Sequence, residues 1–503
     1  MIAALAKKVY SFVSGRRLGS FREAAVRTIM RVRLLSAALL WGMLGLSAKA
    51  AEPVGTDWPW FLGPDHTGVS TETGLLATWP KDGPPLLWER DVGTGYSAPS
   101  VRGERLVLHH RIDDAEIVEC CHALTGQTIW TYRYSSDFSD PYGYNNGPRC
   151  SPILTESHCY TLGAQGKLLC LTLDKGELVW QHDLRDDYTI PDGFFGVGAT
   201  PVLEGDRLIV LVGGQPDAGV VAFAAKDGGV LWKAVGKSTW DGVADEEGEV
   251  YRWTGDEMVV SYSSPIVATI HGHRHVLCLM RQGLVSLDPR TGRERFKYWF
   301  RPTVHESVNA ACPVVVDDTI LLTAAYRQGS ALLKVQPDGN RYEVVWRDRR
   351  NLLAHWSTPI ALDGHFYGFS GRHEQEGELR CVRASDGEVV WSTDGWGQPL
   401  TGLAQNPATG AIVDRATGVE IPWPFYGRGS KILADGKFIV LGERGTLALV
   451  QPSPEGWREL SRCKAPRMHN PSWTAPVLSQ GRLYLRCEDA LVCLHLRANT
   501  GAD

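Results

Sequence analysis

The sequence predicts an all-β fold: an eight-bladed β-propeller of four-stranded antiparallel blades, with the ring closed by the N-terminal strand pairing into the C-terminal blade. Three observations carry this. One phrase recurs along the chain, two markers of it can be counted separately, and each end of the chain holds an incomplete copy. The phrase is clearest at Leu379–Trp391 (LRCVRASDGEVVW) and Leu168–Trp180 (LLCLTLDKGELVW). It returns in copies ending at Trp130, Trp232 and Phe296, and with a longer turn at Trp346. Apolar alternation on both sides of an Asp/Gly turn is the signature of a β-hairpin. A repeat of roughly 50 residues belongs to stacked or radial arrays.

Composition agrees with that architecture. The 503 residues are 43% hydrophobic and include 54 Gly, 28 Pro and 18 Trp, which suits many short strands joined by turns. The first 50 residues hold nine of the 52 Lys/Arg and one of the 57 Asp/Glu, leaving 43 and 56 beyond them, a net charge of −13. An acidic surface of this kind excludes nucleic acid as a partner, because phosphate binding needs a basic face.

Residues 1–50 read as an N-terminal extension and export signal, with translation expected to start at Met30. Arg31 and Arg33 precede an apolar run from Leu34 to Leu46, and Ala48-Lys49-Ala50 offers a cleavage site. A run of that length is short of the ~20 residues that span a bilayer, so no stable membrane anchor is expected after cleavage and the mature chain would begin at Ala51. Residues 51–85 form an irregular lead-in rich in Gly, Pro and aromatics, among them Asp57–Ser70 (DWPWFLGPDHTGVS). The propeller is assigned to residues 86–497 and a short tail to 498–503.

Within 86–497 the outer strands carry Trp88, Trp130, Trp180, Trp232, Phe296, Trp346 and Trp391, with an eighth around Leu460. The inner strands open on a small residue followed by proline at Pro99, Pro152, Pro201, Pro265, Pro313, Pro359 and Pro476; an eighth, without proline, starts near Ser430. Both counts give eight. Trp88 has no hairpin before it, and the last copy, with Cys493, has no tryptophan after it, so the two ends should complete one blade and leave no open sheet edge.

The 11 cysteines follow the repeat. Cys120, Cys170 and Cys381 lie ten residues before a blade tryptophan, where Ala222 and Ser286 stand in other copies, and this marks a small-residue packing slot. Cys120 and Cys121 are adjacent, and a vicinal disulfide there stays open. No C-x-x-C-H haem signature and no zinc-type spacing occurs. The histidines His271, His273 and His275 are expected in a solvent-facing turn. Two insertions break the period: the acidic Thr239–Ser261, with Asp245-Glu246-Glu247, and the Gly/Pro-rich Gly397–Gly429. Both are expected as long loops, where function concentrates.

The small residue, the turn glycine and the tryptophan ten residues on resemble the tryptophan-docking motif of pyrroloquinoline quinone (PQQ) repeat propellers, over nearly all of residues 80–497. The resemblance implies that each tryptophan packs on a neighbouring blade. It admits two functions, because the family holds PQQ- and calcium-dependent dehydrogenases of alcohols or sugars as well as cofactor-free scaffolds of outer-membrane β-barrel assembly. Fold does not choose between them.

A ligand site is expected where inner strands enter the central funnel. Upstream of those strands the chain presents Tyr96, Asn145, Arg149, Phe195, Tyr262, His305, Glu306, Asn309, His355, Trp356, Tyr426, Arg428, His469, Asn470 and Trp473. The ligand-binding candidates are Tyr96, Arg149, Tyr262, Asn309, His355, Trp356, Arg428, His469 and Trp473. Aromatic planes with arginines suit a flat, anionic or polyhydroxylated ligand. In a quinoprotein, Glu306 and Asn309 would be the calcium ligands. The vicinal cysteines that such enzymes carry above the cofactor are replaced by Arg149-Cys150-Ser151, with one thiol. No lipobox cysteine occurs before Val118, unlike the assembly lipoprotein. The chain is therefore expected to be an exported, periplasmic or secreted monomer that binds a protein, peptide or glycan without catalysis; the alternative is the PQQ- and calcium-dependent dehydrogenase.

Overall fold

The computed structural model describes residues 55–304 and 306–498. The expected export segment and the C-terminal tail from residue 499 lie outside the described residues, as does His305. No helix among the described residues is long and apolar enough to cross a membrane.

The described chain forms eight four-stranded antiparallel sheets and one three-stranded sheet. Taken along the chain, the first sheet holds Ser100–Arg102, Arg105–Ile112, Ala115–His122 and Thr128–Ser135. The second starts at Ile153–Leu154 and ends at Leu178–Asp183; the third starts at Val202–Glu204 and ends at Val230–Ala234. The fourth runs from Ile266–Ile270 to Glu294–Trp299, the fifth from Val314–Val316 to Tyr342–Asp348, and the sixth from Ile360–Leu362 to Val389–Thr393. The seventh opens at Ser430–Ala434 and ends at Arg458–Lys464. The eighth holds Val477–Ser479, Arg482–Arg486 and Ala490–His495, and its fourth strand is Leu86–Asp91 from the start of the chain.

Strand register explains the recurring phrase. Trp130 stands opposite Cys120, Trp180 opposite Cys170, Trp232 opposite Ala222 and Trp391 opposite Cys381. Trp88 takes the same place opposite Cys493, so the last copy draws its tryptophan from the other end of the chain. A β-bulge follows the small residue in each of the four internal pairs, which twists the outer strand and turns its ring toward the next sheet. There the indole N–H donates to the carbonyl just past the third strand. Trp88 bonds Ala123, Trp130 bonds Leu173, Trp180 bonds Ala225, Trp232 bonds Pro289, Trp346 bonds Ala384 and Trp391 bonds Ser453, at 2.9–3.1 Å. The turn glycine of the next sheet lies against the same ring: a Cβ on Gly176 would fall 2.4 Å from Trp130. All 11 cysteines are free and buried, so Cys120 and Cys121 are not bridged.

Two expectations change. His275 does not face solvent: it lies within the strand His273–Leu279, fully buried, with Nδ1 2.7 Å from Ser286 Oγ, because both faces of a middle strand are covered. Insertion 397–429 is not all loop, since Leu403–Gln405, Ile412–Asp414 and Glu420–Ile421 form the three-stranded sheet. In insertion 239–261, Glu246 is held by Arg347 and Arg349, at 3.1 and 3.0 Å, and is committed to those pairs.

The lead-in has strand character only as isolated bridges, yet it touches most sheets. Trp58 bridges Val101 of the first, the Pro59 carbonyl accepts from Leu154 of the second, and Leu62 packs on Ile266 of the fourth and on Cys312. Val69 then bridges Leu433 of the seventh and Leu75 bridges Arg497. Lacking alternation, the segment forms no sheet of its own and instead lies across the ends of the inner strands.

Candidate functional site

Inner strands that converge on one axis bring their preceding loops together, and here those loops enclose a cavity of about 310 Å³. Tyr96, Arg149, Tyr262, His355, Trp356, Arg428 and Trp473 all line it, with Glu306. Asn309 and His469 do not. Asn309 is fully buried, with its amide N–H groups on the Met280 and Phe300 carbonyls, where it ties two segments together. His469 is half-exposed against Asp489. Tyr426 is buried and donates to Glu459.

One wall is aromatic. Trp356 and Trp473 lie 5.0 Å apart between ring centroids, Tyr96 lies 5.2 Å from Trp473, and His355 lies 4.7 Å from Trp356. The Arg428 guanidinium sits 4.9 Å from both indoles, a favourable cation–π arrangement. It is fixed by Glu443, which also accepts from Trp473 Nε1 at 2.7 Å. Arg149 is likewise committed, 2.8 Å from Asp140. Burial lowers the pKa of Arg149 and pushes the Tyr262 phenol up to about 12. The Tyr262 hydroxyl accepts from the Phe195 N–H at 2.7 Å.

Arg372 was not among the expected residues. It lines the cavity, stacks 4.5 Å over Tyr326, and among the described residues forms no ion pair with any carboxylate. Its charge is available to a ligand. Tyr326, at a φ of 58°, turns its hydroxyl to 3.1 Å from His355 Nε2. Burial, then the cations of Arg428 and Arg372, hold His355 down at about 3, so the ring is neutral and its buried Nδ1 has no partner. Lys431 also borders the cavity; burial between Phe369 and Phe438 pushes it down to about 7. Tyr326 and Arg372 each follow the second strand of a sheet, Thr319–Ala324 and His365–Ser370, whereas the funnel residues found by sequence precede a first strand. The GFSGRH run at 368–373 was the available signal.

The donor set answers the calcium question. Among the described residues, only Asp140 and Glu306 supply lining carboxylates. Asp140 is spent on Arg149 and on the backbone N–H groups of Tyr142 and Asn145, and the Asn309 amide lies elsewhere. Calcium takes six to eight oxygens, and this lining does not fit it. A flat anionic group fits better, since the uncommitted Arg372 guanidinium and a stacked aromatic wall border one space.

No curated protein matches the sequence. Among solved structures, the quinohemoprotein alcohol dehydrogenase from Comamonas testosteroni is similar at 13% identity, covering 90% of this chain and 82% of its own, with a TM-score of 0.56. BamB from Moraxella catarrhalis is similar at 13% identity, covering 83% of this chain and 98% of its own, with a TM-score of 0.48. At these identities the likeness to the first concerns the fold alone. The family model of the outer membrane protein assembly factor BamB matches residues 113–393, more than half of the chain. This chain, with its docked tryptophans and its repeat, therefore belongs to the BamB-type family of PQQ-repeat propellers.

Proposed function

We propose that this protein is an exported binding module, eight sheets closed into one ring, that holds a flat, anionic or polyhydroxylated ligand group in its central cavity and performs no chemistry on it. The group would be carried by a partner protein, a peptide or a glycan, consistent with a scaffold role of the kind the family name describes. The observation that carries this reading is the charge state of the lining: Arg149 and Arg428 are neutralised within the wall, and Arg372 stacks on Tyr326 without a carboxylate. Such a site attracts an anion and orients an aromatic or sugar face.

The same lining favours PQQ as a flat tri-acid, and so keeps the dehydrogenase as a second reading. Titrating PQQ into the mature chain, with and without calcium, separates the two. Trp356 and Trp473 stand in the wall, so a docked ligand quenches their fluorescence. Saturable quenching that ignores calcium and weakens at least about tenfold in Arg372→Ala supports the binding module. Quenching that requires calcium and disappears in Glu306→Ala establishes the quinoprotein reading instead. If PQQ does not quench, acidic peptides and uronic-acid glycans are the next probes, and binding of neither overturns the anionic-ligand reading.

A further inference from the structure

Beside the cavity mouth lies a second cluster that the binding role does not use. The eighth sheet turns from Arg482–Arg486 into Ala490–His495 through Cys487-Glu488-Asp489, and the loop before that sheet brings His469 against the turn. The Cys487 sulfur, an Asp489 carboxylate oxygen and a His469 ring nitrogen all lie within 4.8 Å of one another. His469 Nε2 is 2.8 Å from Asp489 Oδ1, and Cys487 Sγ is 3.3 Å from that same oxygen.

Hydrogen-bond polarity makes the cluster more than three neighbours. His469 Nδ1 is 3.1 Å from the Asn470 carbonyl, which only accepts, so this nitrogen carries the hydrogen. Nε2 in turn donates to the Asp489 carboxylate, beside the Cys487 sulfur, so an arriving metal takes the place of that one proton between ring, carboxylate and sulfur. A backbone carbonyl that fixes the ring in this way is what metal-ligating histidines regularly have. The surroundings still favour a cation: Glu89, Asp91, Glu488 and Asp489 stand against two guanidinium groups, Arg467, which is engaged by Asp91 at 2.7 Å and Glu89 at 3.7 Å, and the buried Arg486, which is held by backbone carbonyls. Cys487 is buried while His469 and Asp489 reach solvent, so an ion can enter from one side and keep an open fourth position.

We propose that Cys487, Asp489 and His469 form a three-donor site for zinc, with water as the fourth ligand. Thiolate, imidazole and carboxylate together select zinc over calcium or magnesium. Binding forms three metal bonds and releases the thiol proton, plus the Nε2 proton where the ring carries one. Sequence spacing does not show the site, because the histidine comes from the loop before the sheet and the Cys-x-Asp pair from a hairpin tip inside it. Its place gives it a structural consequence. Glu488, between two of the donors, accepts from Asn145 Nδ2 at 2.5 Å and bonds to the cavity residue Tyr96. A metal there would fix the tip that holds this wall.

Cobalt titration into the metal-stripped full-length chain tests the assignment, with zinc as competitor. The expected result is one equivalent of cobalt, intense visible bands of a four-coordinate ion, and a near-ultraviolet sulfur-to-cobalt charge-transfer band, all displaced by zinc. Cys487→Ser should remove the charge-transfer band. Asp489→Asn and His469→Gln, both at exposed positions, should keep the fold by circular dichroism and weaken binding at least about tenfold. A charge-transfer band that survives in Cys487→Ser, or cobalt with only the weak bands of a six-coordinate aquo ion, overturns the proposal.

Discussion

His355 illustrates how the cavity sets the chemistry of single residues. Its ordinary pKa is 6.5, and burial with Arg428 and Arg372 nearby lowers it to about 3. Below pH 6.5 the unfolded chain takes up a proton that the folded ring refuses until about pH 3. The stability contribution is therefore complete above pH 6.5 and is lost progressively as the pH falls from 6.5 toward 3. In His355→Phe that loss disappears, so the difference in thermal midpoint between pH 7 and pH 4.5 should be smaller than in the wild type; an equal difference would refute the neutral buried ring. The histidine itself was legible in the sequence, because it stands just before an inner strand. Its neutral state was not, since it depends on burial and on Arg428 and Arg372, all supplied by other parts of the chain. Asn309 shows the opposite failure: the right residue type in the right stretch, drawn instead to the Met280 and Phe300 carbonyls.

At the level of elements, the tryptophan and the glycine of the repeated phrase act between sheets rather than within one. Trp180→Ala removes a buried ring and its bond to Ala225, and should cost about 3–5 kcal/mol in chemical denaturation. Glycine variants separate packing from backbone. Gly176 and Gly205 both sit in the left-handed region, at φ of 71° and 59°, where alanine costs roughly 1 kcal/mol. Only at Gly176 would the new Cβ strike an indole, at 2.4 Å, whereas nothing lies within 4 Å at Gly205. Gly176→Ala should therefore be clearly more destabilising than Gly205→Ala, and equal losses would refute docking on the glycine. The strands and the docking tryptophans were readable because each repeats with the same turn. The three-stranded sheet of 403–421 was missed although its turns N-P-A-T-G and D-R-A-T-G are hairpin signals, because it stands outside the period that organised the rest.

Over the whole molecule, the strand Leu86–Asp91 completes a sheet whose other three strands lie near residue 490, and its Trp88 bonds Ala123 of the first sheet. Removing residues 1–91 would leave the Ala490–His495 strand as an open edge. The truncated chain should self-associate in light scattering and melt at lower temperature, while a monomer of unchanged midpoint would show that the strand is dispensable. The incomplete copies at the two chain ends announced this pairing. The path of residues 57–79 announced nothing, because its partners, Val101, Ile266 and Leu433 among them, are spread over the whole length of the chain and leave no local pattern.

That path has a consequence for any guest. Phe61 and Leu62 enter the cavity lining from the lead-in as it crosses the inner strands, so the segment that ties distant sheets together is also part of the wall a guest would touch. A guest that presses on these two side chains presses on the tether of the fold as well as on its pocket.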